Sequence, residues 1–221
     1  MEKSKKNVLA WILSAVILST VSICGTLAYL TSEDSVVNTF TVGQVDIKLD
    51  ETAVTPDGQP IDGADRVKEN EYHLLPGHTY VKDPTVTVIK GSEEAYVRIL
   101  VTMNNITALR TILGDDFQPH HYVSGWNSEV WECVNVGEVV NDTITYEFRY
   151  VETVGASGMT EDVVLDALFD SISIPGEING TELGTISDLE ITIVGHAIQK
   201  AGFDTEEAAW EAFENQSQLL K

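Results

Sequence analysis

The sequence predicts an all-β protein: an antiparallel β-sandwich, jelly-roll or immunoglobulin-like, with a few peripheral helices. Three observations carry this expectation. Apolar residues alternate in short runs, as half-buried strands require. Gly and Pro punctuate the gaps, at Pro76-Gly77, Gly91, Gly137 and Pro175-Gly176. No regular succession of helices separates the runs, so parallel crossovers are not implied.

The strongest runs are Ala95 to Met103 and Ile144 to Tyr150. In the second, Ile144, Tyr146, Phe148 and Tyr150 share one parity and Thr145, Glu147 and Arg149 the other, which predicts one wet face. The first is apolar at most positions of both parities and predicts burial on both faces. Leu189, Ile191 and Ile193 form another set of period two, and shorter strands are expected at Thr85 to Ile89, Val130 to Val136 and Ser171 to Ile174. A further strand spans Phe40 to Leu49. Its parity switches between Phe40/Val42 and Val45/Ile47/Leu49, and Gly43 at the switch predicts a bend. These make about seven strands. Asp50 to Asn70 is polar and rich in Pro, Gly and Asp, an excursion between strands. Helices are expected from Asn105 to Leu113, stopped by Gly114, and over about 204–220, with Asp204 as cap and Trp210, Phe213 and Leu220 near one face.

Ahead of the body, Lys3, Lys5 and Lys6 precede the run "VLAWILSAVILSTVSIC" and then small residues at Gly25, Thr26 and Ala28. This is the three-part pattern of a secretory signal peptide, expected to span 1–28 and to be cut between Ala28 and Tyr29. Its apolar core is short for a membrane span. Residues 29–38 then read as an arm whose apolar members are Tyr29, Leu30, Val36 and Val37, and residues 39–221 as the sandwich domain. The whole chain carries a formal charge of −22; residues 1–28 hold three lysines and one glutamate, so the remainder stands at about −24. Such a body repels phosphate backbones, which excludes nucleic acid as a partner and leaves the membrane only the signal peptide before cleavage. After cleavage one cysteine remains, Cys133, and is expected to be a small buried apolar side chain.

The segment "GTLAYLTSEDSVVNTFTVGQVDIKLDE" resembles the signal-peptide junction of the TasA and camelysin (CalY) family, with Gly25, Thr26, Ala28, Tyr29, Asn38, Phe40, Gly43, Asp46 and Leu49 at the matching positions. It departs at Leu30, where an aromatic is usual, and at Thr31, Ser32 and Glu33. "LLPGHTYVKDPTVTVIKGSEEAYVRILV" and "HAIQKAGFDTEEAAWEAF" are similar to later elements of the family, while residues from about Asn104 to Gly184 correspond loosely. The resemblance implies export through a SipW-type signal peptidase of a Gram-positive cell and a role as a subunit of extracellular biofilm matrix fibres.

Camelysin members are classed as metallopeptidases, but the chain has no HExxH pair to hold zinc and activate water. Its histidines are His73, His78, His120, His121 and His196; on an extended chain the adjacent His120 and His121 would point apart. Acidic pairs such as Glu93-Glu94 and Asp115-Asp116 lack calcium-loop spacing, and neither a phosphate cradle nor a GxSxG elbow occurs. No catalytic residue, metal or cofactor is therefore expected.

An exposed strand edge is a template for another backbone. If the arm of one molecule supplies a strand to the next, each is donor and acceptor at once and the contact propagates, giving a homopolymer or a mixed fibre with related subunits. Burial of the four apolar arm side chains is too small to offset the ordering of ten residues, so ladder hydrogen bonds must contribute. A monomeric surface adhesin and a camelysin-like metallopeptidase are the alternative readings.

Overall fold

The computed structural model describes residues 43–115 and 117–219. The signal peptide, its cleavage point and the arm lie outside these residues. Among them no helix is long and apolar enough to cross a membrane.

Ten antiparallel strands are present: β1 (Ile47–Asp50), β2 (Thr79–Val81), β3 (Thr85–Val88), β4 (Ala95–Met103), β5 (Val123–Ser124), β6 (Trp131–Val136), β7 (Ile144–Tyr150), β8 (Val163–Val164), β9 (Ser171–Ser173) and β10 (Ile191–Gln199). The expected seven fall short by β2, β5 and β8, each two or three residues long and too short to show a period. β4 and β7 occupy the expected residues. β10 begins at Ile191 and continues to Gln199, well past the Leu189 to Ile193 run that announces it. Of the strand expected over Phe40 to Leu49, residues 40–42 lie outside the described residues, and among those described the strand begins only at Ile47 and runs to Asp50. Gly43 is exposed and lies ahead of it in irregular backbone, beside the Glu93 side chain.

One layer is the sheet β10-β4-β7-β6. The other combines two small sheets, β1-β3-β8 and β2-β9-β5. β2 and β3 form one line of chain interrupted at Lys82–Pro84, β8 and β9 another, and across the interruption Leu168 N–H donates to Pro84 O and Lys82 N–H to Asp170 O. The core between the layers holds Val86 and Val88 from β3, Val97, Ile99 and Val101 from β4, and Trp131 from β6. Trp131 is wholly buried, and its indole N–H is satisfied by Asp166 O at 2.9 Å.

The outer face of β4 would be wet in a bare sandwich, yet Arg98 is only 3% exposed. Helix α3 (Glu206–Leu219) covers it. The Arg98 guanidinium stands 4.4 Å from the Trp210 ring and 5.1 Å from that of Phe213, pairs with Glu214, and lies 3.6 Å from Glu147. Its Nε donates to His196 Nδ1 at 3.2 Å. Arg149 on β7 adds contacts to Glu206 and Glu207. The helix cap is Thr205, whose Oγ1 accepts from Ala208 N–H, and not the expected Asp204. Helix α1 (Ile106–Leu113) closes one end of the sandwich with Ile106 and Leu109 inward, and Gly114 N–H terminates it on Arg110 O as expected. A short helix, α2 (Gly180–Gly184), is started by a capping box of Asn179 and Glu182.

Burial, and then the Arg98 charge, lower the pKa of His196 below the ordinary 6.5, against the smaller opposing pull of Glu214 and Glu147. A group with a depressed folded pKa contributes stability above its unfolded value and loses it on acidification. Global stability should therefore decline as pH drops below about 6.5, and His196→Gln should flatten that part of a urea-midpoint profile against pH. Arg98→Ala removes the cation stacked on Trp210 and paired with Glu214, while Arg149 at 2.9 Å still holds Glu147, and should cost about 2 kcal/mol, with the Trp210 fluorescence reporting loss of helix contact.

Candidate strand-acceptor groove

β10 ends one layer and β1 ends the other, and among the described residues neither has a strand on its second side. The two edges meet at Gly195. A methyl group there would stand 3.6 Å from Ile47 Cδ1 and 3.7 Å from Leu49 Cβ, ordinary contact distances, so β1 packs directly over β10 at this point. From this point the layers diverge, leaving an open groove of about 930 Å³. Ile47 and Leu49 form one wall and Ile191 and Ile193 the other, with Leu74, Tyr80, Ile172 and Ile174 between. The inward parity of β10 is fixed by Gly195 facing Val86, so Ile191 and Ile193 face the groove and Thr192 and Val194 face out. Val194 is 42% exposed.

The rim is charged: Lys48, Lys68 and Lys82 against Asp50, Glu51, Glu69, Glu71 and Glu190. Two of these acids are held by buried networks. Lys82 Nζ lies 2.7 Å from Glu51 Oε2, with both side chains nearly inaccessible, and Asn70 Nδ2 donates to Glu51 Oε1 at 2.9 Å. Tyr72 donates its hydroxyl to Val81 O, and its ring lies 5.7 Å from the Lys82 ammonium. Burial and the neighbouring Glu51 charge raise the Tyr72 pKa and keep the phenol protonated. Arg66 ties the end of β1 to the break between β2 and β3. Its Nε binds Asp50 Oδ1 at 2.6 Å, its Nη1 binds Asp83 Oδ2 at 2.9 Å, and its Nη2 donates to Asp83 O and Thr85 Oγ1, each at 2.8 Å. Burial works to raise the pKa of Asp50, but hydrogen bonds and charge from Lys48 and Arg66 outweigh it and hold the carboxyl below 3.8. Asp83 is lowered in the same way by Thr52 and Arg66 against burial. The apparent excursion from Asp50 to Asn70 is thus pinned to the groove wall by its single arginine.

The groove adjoins a second void. Beneath α1 lies an apolar cavity of about 80 Å³, walled by Val101, Met103, Leu109, Phe117, Trp126 and Phe148 among others. Ile172, Ile174, Leu189 and Ile191 line both spaces.

Of the residues singled out in the sequence, Ala28, Tyr29, Leu30, Val36 and Val37 lie outside the described residues, and Gly43 stands at the β4-start end of the molecule, where Glu93 N–H donates to Gln44 O. The groove residues themselves are not legible as a site, since Ile191, Ile193 and Leu49 look like ordinary core positions. Only the placement of two edges side by side reveals them. His120 and His121 do not point apart: they sit in a 3-10 turn with ring centroids 4.3 Å apart, because that turn replaces the extended chain assumed for them. Among the described residues no three His, Cys, Asp or Glu side chains gather where they could hold a metal ion. Cys133 is half-buried with a free thiol whose pKa is pushed up by burial. Searches against family models, characterised proteins and solved structures find no match to this chain.

The Glu51–Lys82 pair should behave as a unit. Lys82→Met strands a buried carboxylate and should cost about 3–5 kcal/mol, whereas the double change Lys82→Met with Glu51→Gln should recover most of that loss in a double-mutant cycle of urea midpoints.

Proposed function

We propose that this chain is a secreted structural subunit of an extracellular fibre of the TasA and camelysin kind, and that it assembles by accepting the 29–38 arm of a second copy in the groove between β1 and β10. The observation that carries this reading is the conjunction of two strand edges that have no partner among the described residues with an apolar floor between them. An incoming strand there gains ladder hydrogen bonds from one edge and buries alternate side chains on Ile191, Ile193 and Leu49. The arm of the sequence has what such a site needs: apolar residues separated by polar ones, and no lysine or arginine from Tyr29 to Ile47. The junction motif, from Gly25 to Leu49, supports export ahead of assembly, because the arm is tied to the signal segment until the bond after Ala28 is cut.

Charge sets the conditions. The arm carries Glu33 and Asp34, and the groove rim has five acids to three lysines. Protonation of carboxylates or added salt reduces the repulsion between subunits, so acid and salt favour assembly.

The test compares protein starting at Tyr29 with protein starting at Phe40 by electron microscopy and sedimentation. Fibres are expected from the first and not the second, with greater yield at pH 4 than at pH 7. Leu189→Asp, which places a charge in the groove, should abolish fibres while the protein stays folded by circular dichroism. A monomer from the Tyr29 form at every pH and salt concentration would instead support a surface binding module.

A further inference from the structure

The apolar cavity beneath α1 is walled almost wholly by hydrocarbon side chains. It offers about 80 Å³ between apolar walls, a space that suits hydrocarbon better than water. It adjoins the groove, with Ile172, Ile174, Leu189 and Ile191 lining both spaces. Whatever strand occupies the groove therefore meets the cavity at one end.

Which residue could enter is limited by chain reach. Gly43 lies beside Glu93, just before β4 begins at Ala95, whereas the cavity is walled by Val101 and Met103 at the other end of that strand. Six to eight strand residues separate them, roughly 20 Å or more. Phe40 precedes Gly43 by three positions and extends at most about 11 Å from it. Chain length therefore disfavours entry of Phe40 into the cavity of its own chain, even with a few Å added for the ring, whereas the cavity of a second copy is under no such limit. Phe40 is the one large all-hydrocarbon side chain with an aromatic ring between Tyr29 and Gly43, and it shares parity with Val36 and Val42. In a strand these three face the same way.

Resting on the strand-exchange reading above, we propose that Phe40 of one subunit fills the apolar cavity of the next, anchoring a donor strand that runs antiparallel to β10. The polarity follows from the anchor. With Phe40 at the Ile191 end of β10, the earlier residues of the arm extend toward Gly195, against the direction of β10. Phe40 opposite Ile191 brings Val36 opposite Gly195, where the acceptor has no side chain of its own. The cavity thereby selects a donor with a large apolar ring just ahead of its folded body.

The test uses the mature chain starting at Tyr29. Phe40→Ala changes none of the described residues and should raise the critical concentration for fibres at least tenfold, whereas Val37→Ala, of opposite parity, should change it about twofold or less. Leu189→Phe, which fills the cavity from within, should weaken assembly with the native arm and be partly rescued by Phe40→Ala in the same chain. A peptide of residues 32–42 carrying fluorophenylalanine at position 40 supplies a readout independent of fibres, with a displaced fluorine resonance expected on addition of the mature chain. Fibres indifferent to Phe40→Ala would overturn the anchor and leave strand exchange standing. A displaced resonance that Leu189→Phe abolishes, without fibres from any form, would retain the anchor and overturn the fibre reading. Neither fibres nor a displaced resonance would overturn both.

Discussion

Among the described residues β10 has no strand on its second side and borders an apolar floor, and on this constraint the rest of the fold turns. Backbone amides and carbonyls along β10 are satisfied toward β4 on one side, and on the other they face the groove. In an ordinary sandwich such an edge is blunted by a bulge, a proline or an inward charge. The far edge of the same sheet shows such protection: β6 slips register at Cys133/Asn135, bending it away from a flat ladder. β10 has no bulge over its nine paired residues. The two edges of one sheet are thus treated differently, and only the one beside the groove is left flat enough to be extended.

The charged residues inside the fold keep this open side from collapsing. A groove lined by isoleucine and leucine would be expected to close if its walls could move together, since burial is favourable and the walls are short strands. Arg66 prevents that by fastening β1 to the turn before β3 through two carboxylates, two hydroxyls and two carbonyl oxygens. Lys82 and Glu51 fix the adjoining wall. On the opposite face Arg98 joins β4, β7, β10 and α3, so the sheet that carries the β10 edge is held rigid from behind. Of the few cations in this acidic chain, three are thus committed to holding the frame of one groove.

Much of the frame was legible because its signals are local. β4 and β7 show their period over seven to nine residues, and Gly114 stops α1 where its position says it should. β2, β5 and β8 are too short to announce themselves, unlike the equally short β9 at the expected Ser171 to Ile174, and emerge only from pairing with neighbours far along the chain, as Tyr80 does with Ile172. β10 was half legible: its first three residues alternate, but Gly195 and His196 interrupt the pattern for reasons that lie elsewhere, the one in close contact with β1 and the other beneath α3. Arg98 reads as the polar member of an alternating strand, and nothing local announces that a helix more than a hundred residues later will bury it. The groove is least legible of all, because it is a property of where two sheets end.

Polarity decides whether strand donation closes or continues. β10 runs from the cavity end toward the Gly43 end, since Ile191 pairs with Met103 and Gln199 with Ala95. An arm folded back from Gly43 into its own groove would therefore lie parallel to β10. A reciprocal exchange that preserved this orientation would bring two Gly43 ends together and finish as a closed pair. Donation across unlike ends reverses the strand and makes it antiparallel to β10, the pairing that is slightly the more stable per residue. It also leaves each subunit with one end still unfilled, which is the geometric condition for a chain without a terminus. Self-insertion has the advantage of high effective concentration. Chain length works against that advantage for Phe40, because the three residues from it to Gly43 span less than the run of β4 from Ala95 to Met103.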